Sequence, residues 1–119
     1  MRVLRVLLIE DDIVMSMLMT MMLEEMGHEV CGTEQTAKGA IGAATTDRPD
    51  LIIADVNLAG GNGIDALDQI CLSSFVPHIF ASGDIRRVKE LKPDAVVVEK
   101  PFTYGKMLAA IERALTVAA

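Results

Sequence analysis

The chain is poor in positive charge, cysteine, histidine and long apolar runs, and each shortage removes a class of function. Eleven Lys and Arg face 17 Asp and Glu across 119 residues, giving a formal net charge of −6. A surface of that sign repels nucleic-acid phosphates, so direct DNA or RNA binding is not expected. The Met-rich segment Ile13–Leu23 is too short to span a bilayer, is broken by Ser16 and Thr20, and runs into Glu24 and Glu25. Cys31 and Cys71 lie far apart with no His at ligand spacing. That argues for buried free thiols in a reducing cytoplasm, not for a disulfide frame or a zinc site. Met1–Arg5 leads straight into a strand-like run, so no secretory leader is expected. No glycine-rich P-loop precedes a helix, which leaves a nucleotide without a cradle.

What remains is half apolar, 51% of residues, and fits one domain over residues 1–119. Five short apolar runs recur: "VLLI" (6–9), "EVCGT" (29–33), "LIIA" (51–54), "HIFA" (78–81) and "AVVV" (95–98). The first, third and fifth are nearly continuous Leu, Ile and Val, as in strands covered on both faces. Helical spacing fills the gaps. In Ile13–Met26 the set Met15, Leu18, Met19, Met22, Leu23 and Met26 keeps a 3.6-residue period and Gly27 ends it. Further helices are predicted over Thr36–Thr46, with Ala37, Ile41 and Ala44 on one side, and over Gly63–Leu72 and Ile85–Leu91. A last one begins near Tyr104 and carries Met107, Leu108, Ile111 and Leu115. Alternating strands and helices imply an α/β, doubly wound, five-stranded parallel sheet of flavodoxin-like type, in strand order 2-1-3-4-5. Ligands of such sheets sit outside the carboxyl ends of the strands, at the switch between strands one and three.

That rim is rich in chemistry. Strand one ends in Glu10 and Asp11, and strand three in Asp55 with Asn57 two residues on. Strand four ends in Ser82 and Gly83, and strand five in Glu99 and Lys100 before Pro101. Carboxylates so clustered call for a cation. Oxygen donors without His or Cys select Mg²⁺ or Mn²⁺ over zinc. Carboxylates, an ammonium and a hydroxyl at one place suit a phosphoryl group, with Asp55 itself the simplest acceptor.

With those residues in view the chain resembles the receiver domain of two-component response regulators over essentially its whole length. The resemblance rests on "IEDD", "ADVNLAGGNG", "FASG" and "VVEKPF" taken in order. It implies a phosphoacceptor aspartate at Asp55, a metal pair in which Asp11 binds directly and Glu10 mainly through water, and a backbone carbonyl ligand at Asn57. It implies a switch hydroxyl at Ser82, a phosphoryl-binding Lys100 and a cis peptide at Lys100–Pro101. Implied partners are a sensor histidine kinase or histidine phosphotransferase, an unidentified downstream protein, and a second copy on activation.

Departures concern output. Val97 stands where relatives carry a switching Tyr or Phe, and Ala59 where they carry proline. Gly60-Gly61-Asn62-Gly63 is expected to loosen the loop after the acceptor, and the short Ser82–Lys100 interval implies a stunted fourth helix. "IFASG" and the missing aromatic resemble the "FAT GUY" subgroup of single-domain regulators, although "GD" replaces its ending. Two other readings stay open: a small Mg²⁺-dependent phosphatase, disfavoured by Asn57 in place of a second acid, and a pseudo-receiver that never carries phosphate. Asp12 reads as a helix cap, His28 and His78 as structural or exposed, and Phe80, Phe102 and Tyr104 as packing. Arg86, Arg87, Lys89 and Lys92 read as a solvated face. Val14, Met17 and Met21 fall off the inward side of the first helix and read as an adaptable contact for the phosphodonor.

Overall fold

The structure is a computed structural model that describes residues 2–118. In chain order it begins β1 (Arg5–Ile9), α1 (Ile13–Glu25), β2 (Glu29–Glu34), α2 (Ala37–Asp47) and β3 (Leu51–Asp55). Two short strands follow, β4 (Asn57–Leu58) and β5 (Gly61–Asn62), and then α3 (Gly63–Ser73). The chain continues through β6 (His78–Ser82), α4 (Ile85–Leu91), β7 (Val96–Glu99) and α5 (Tyr104–Ala118). The main sheet has the order β2-β1-β3-β6-β7, all parallel. Counting only its five strands, that is the 2-1-3-4-5 order expected from sequence.

Period-two alternation sorts the strand residues onto two faces. Val6, Leu8, Leu51, Ile53, Ile79, Val96 and Val98 pack with Met19, Leu23, Met107 and Ile111 beneath α1 and α5. Leu7, Ile9, Ile52, Ala54 and Phe80 pack with Ala40, Ile64, Leu67 and Val88 beneath α2, α3 and α4. Each such Leu, Ile, Val or Phe contributes roughly 1.5–3 kcal/mol of burial. These two layers fix the register, with Ile53 paired to Leu8 on one side and Ile79 on the other. A one-residue slip would turn every apolar side chain to the wrong face.

Side-chain oxygens cap the helices: Asp12 accepts from Val14 and Met15, Thr36 from Gly39, and Asn62 from Asp65. Gly27, with φ +91°, follows the C-cap of α1 and supplies the left-handed turn expected of it. Lys100–Pro101 is cis. His28 is buried and accepts the Leu4 N–H on Nδ1 at 3.1 Å, while His78 sits between Phe75 and Phe80. Both are structural.

On α2, Ala37, Ile41 and Ala44 share one half-buried side, as expected, and Ala40 beside them is fully buried. Three expectations need correction. Leu18 is 54% exposed and does not belong to the inward face of α1, where Ser16 lies instead. Nine of the thirteen residues of this helix are apolar, so periodicity alone cannot place its edge. Cys31 and Cys71 are free but half-buried rather than fully buried. The segment after Asp55 is a small antiparallel hairpin, Asn57 against Asn62 and Leu58 against Gly61, rather than a loosened loop. Gly60, with φ +70°, makes its turn, and a bridge from Thr36 to Ala59 ties it to the start of α2.

Candidate functional site

The carboxyl ends of β1, β3, β6 and β7 converge on one rim, as the strand order requires. Glu10 follows β1 and is 2% exposed; Asp55 closes β3 and is 8% exposed; Asp11 is open to solvent. One carboxylate oxygen from each lies within 4.8 Å of the other two. Lys100, just past β7, donates from Nζ to Glu10 Oε1 at 2.5 Å and stands 3.4 Å from Asp55 Oδ2. The other oxygen of Asp55 accepts the backbone N–H of Asn57 at 3.2 Å. Asp12 donates its N–H to Glu10 Oε2 at 3.3 Å.

This cluster is short of positive charge. With all three acids ionised, one ammonium leaves an excess of two negative charges (three minus one), the charge of a divalent cation. The strain shows on Glu10, whose carboxyl is raised to about 7, first by burial and then by the neighbouring Asp55 carboxylate, against the opposing pull of Lys100. Burial alone would lower the Lys100 ammonium, but Glu10 and Asp55 outweigh it and raise its pKa. The donor set is all oxygen and partly open to solvent at Asp11. It fits Mg²⁺ or Mn²⁺.

Ser82 occupies the end of β6 and is buried, but its hydroxyl does not reach the acids. Ser82 Oγ accepts the Asp84 N–H and donates to the Asp84 carbonyl, each at 3.1 Å. Gly83 between them is exposed, with open space around its Cα. Asp84 in turn caps α4: its side chain accepts from the Arg86 N–H, and this bond, with the Arg86 guanidinium, holds the Asp84 carboxyl below its usual range. Val97 is half-buried against the cluster containing Phe80 and Val88. Sequence reading passes over Asp84, although a Ser–Gly–Asp run ahead of a helix is a capping signal.

Beside the rim, a groove of about 730 Å³ runs between α1 and the β2–α2 connection, lined among others by Glu10, Ile13, Met17, Met21 and Thr36. Ile13, Val14, Met17, Leu18 and Met21 on α1 are all more than half exposed.

The geometry defines an acidic rim with one half-buried ammonium at the strand ends of a doubly wound parallel sheet. Residues 6–112 match the response regulator receiver domain, and the chain belongs to that family. The phyllosphere-induced regulator PhyR of Methylorubrum extorquens is 34% identical over 92% of this chain and 43% of its own length. The transcriptional regulatory protein PdtaR of Mycobacterium tuberculosis is 32% identical over 94% of this chain and 57% of its own. The chain thus spans about half the length of these curated relatives. Among solved structures, the PhyR response regulator of Brucella abortus superposes with a TM-score of 0.90 at 31% identity, covering 98% of this chain and 49% of that one. The receiver domain of Erythrobacter litoralis PhyR gives 0.84 at 35% identity, covering 96% and 91%.

Proposed function

We propose that Asp55 accepts a phosphoryl group from the phosphohistidine of a sensor histidine kinase or histidine phosphotransferase in the cytoplasm. Glu10, Asp11, Asp55 and the Asn57 backbone carbonyl would hold Mg²⁺ or Mn²⁺ for that reaction. The single observation that supports this most is the meeting of three carboxylates with Lys100, 3.4 Å from Asp55, residues drawn from three strand ends. When bound, the divalent ion supplies neutralising charge for the phosphoryl oxygens.

The chain's own groups do the rest. An Asp55 oxygen forms the O–P bond as the N–P bond of phosphohistidine breaks; the imidazole leaves with the electron pair and takes a proton from solvent. The Asn57 N–H steadies the Asp55 carboxylate during attack. Lys100 shifts from Glu10 towards the transferred oxygens, and the Ser82 hydroxyl completes their hydrogen bonding. No further substrate is turned over; the domain catalyses its own phosphorylation and the later hydrolysis of the acyl phosphate. The exposed apolar face of α1, next to the rim, receives the phosphodonor. Output follows by contact with another protein or a second copy. The Bartonella quintana PhyR, a structural relative, is described as an anti-anti-sigma factor, so regulators of sigma factors are the first partners to test.

Incubation with acetyl phosphate and Mg²⁺, read by intact mass, tests the proposal. Wild type is expected to gain one phosphoryl group, and Asp55→Asn or removal of the divalent ion to abolish the gain. No gain in the wild type would refute it.

A further inference from the structure

We infer that a second groove, at the end of the sheet opposite the acidic rim, holds a short peptide segment of a partner protein in which acidic residues flank a large apolar one. The groove has a volume of about 880 Å³. Ile41 and Ala44 on α2, Ile70 on α3, and Phe75 and Val76 in the connection to β6 line it. So do Pro49, ahead of β3, and Pro77, ahead of β6. These are the amino ends of strands, and none of the rim's acids is among the lining residues.

Arg48 gives the groove its charge. It caps the C-terminus of α2 with φ +48°, a left-handed conformation that glycine or asparagine adopts at less cost. The residue is exposed and, among the described residues, forms no ion pair. No contact of its guanidinium within the chain accounts for an arginine there. The other charges cancel: Arg2 pairs with Asp50 at 3.0 Å, and Asp50 also accepts the Arg5 N–H at 2.8 Å. Among the described residues the lining therefore keeps one unpaired positive charge, on a chain of net charge −6. A guanidinium fork of this kind takes a carboxylate through two parallel hydrogen bonds.

Phe75 supplies the apolar half. The chain has three Phe and one Tyr, and spends one of these scarce rings on a position 55% exposed. That ring is steadied by His78, 5.7 Å away, and is otherwise open to the groove. Aromatic and arginine side chains are the residues enriched at the centres of interfaces. Pro49 and Pro77 stiffen the turns beside them, so little ordering is lost on binding. A third feature selects a peptide over a simple organic acid. Among the described residues no backbone N–H caps the carbonyls that end α3, and Ser73 and Ser74 line the groove. Such carbonyls call for donors. A peptide brings N–H donors, a carboxylate and an apolar side chain together. Because the groove lies away from Asp55, it holds its partner whether or not that residue is modified.

Panning a phage-displayed library of random peptides on the full chain, with Arg48→Glu as the counter-target, tests this. Selected peptides are expected to carry Asp or Glu beside Leu, Ile or Phe, and their labelled synthetic forms to bind wild type by fluorescence anisotropy. Arg48→Gly suits the positive φ, so it is expected to keep or raise the urea midpoint while weakening binding at least about tenfold. Phe75→Ala is expected to weaken binding about tenfold as well, and Asp55→Asn to bind as wild type does. Failure to enrich acidic peptides, or equal binding by Arg48→Gly, would overturn the inference. Loss of binding in Asp55→Asn or in Met17→Lys would also overturn it, by placing the peptide at the rim or on α1. A wild type that sediments as a dimer, with Phe75→Ala a monomer, would assign the groove to a second copy and refute the peptide.

Discussion

Asp55, Lys100, Glu10 and Asp11 were legible because each stands at the end of an apolar run, where a parallel sheet places ligands. The sequence could not show that Glu10, rather than Asp11, is the buried acid paired to Lys100, because that depends on which way β1 leaves the sheet. The pairing has a pH consequence. Glu10 titrates near 7 in the folded chain against an ordinary 4.5. A folded-state value that is raised means the fold binds the proton more tightly than the unfolded chain. Without a divalent ion, the Glu10 contribution to stability is therefore greatest below pH 4.5 and falls as pH rises to about 7. A divalent ion has to displace the same proton, so Mg²⁺ should bind about tenfold more tightly at pH 8 than at pH 6. Calorimetric titration at the two pH values reads this, and Glu10→Gln should remove most of the difference. Gly63 carries a second residue-scale prediction. A Cβ there would lie 2.1 Å from the Asp55 carbonyl oxygen, so α3 starts in contact with the end of β3. Gly63→Ala should cost about 1–3 kcal/mol in urea unfolding, the usual range for overpacking, and equal stability would show that the approach relaxes freely.

At the scale of elements, α5 and the five long strands followed from pattern, whereas α1 and the β4–β5 hairpin did not. On α5 the expected Met107 and Ile111 are buried, and Leu108 and Leu115 are half-buried against the same core. Ala110 and Ala114, which the pattern does not single out, join them, with Glu112 and Arg113 outward. α1 offers apolar residues nearly all round, so Leu18 could be assigned to either side until packing decided. Strands of two residues have no period to detect, and β4–β5 depends on the turn at Gly60. The exposed side of α1 makes a testable demand. Met17 and Met21 are 60% and 64% exposed, so replacing both with Lys should shift stability by less than about 0.5 kcal/mol per site. Transfer from the cognate phosphohistidine protein should fall at least about tenfold, on the scale of an interface anchor worth over 1 kcal/mol. Labelling by acetyl phosphate, which needs no docking surface, should stay unchanged. Equal loss with both donors would place the defect at the rim instead.

For the whole molecule, the sheet order brings residues 90 positions apart, Glu10 and Lys100, into one hydrogen bond. Two apolar layers hold the strands in register, and that rigidity fixes where the polar groups of the rim stand. Composition excluded a membrane span, and among the described residues no helix is long and apolar enough to cross one. Composition could not reveal the charge deficit at the rim, which arises only when the strand ends meet. Lys100→Met leaves Glu10 and Asp55 buried beside each other without their ammonium. Its Asp55 labelling by acetyl phosphate should slow by about 10²-fold, the usual scale for losing one charge-stabilising donor, while Mg²⁺ should bind at least as tightly as in wild type. Weaker Mg²⁺ binding would show that Lys100 orders the acids instead of competing with the ion. The most direct measurement is the site of modification. After incubation with acetyl phosphate and Mg²⁺, borohydride reduction and peptide sequencing by mass spectrometry should find homoserine at position 55 and at no other acid. Homoserine at position 10 or 11, or at no position, would contradict the account.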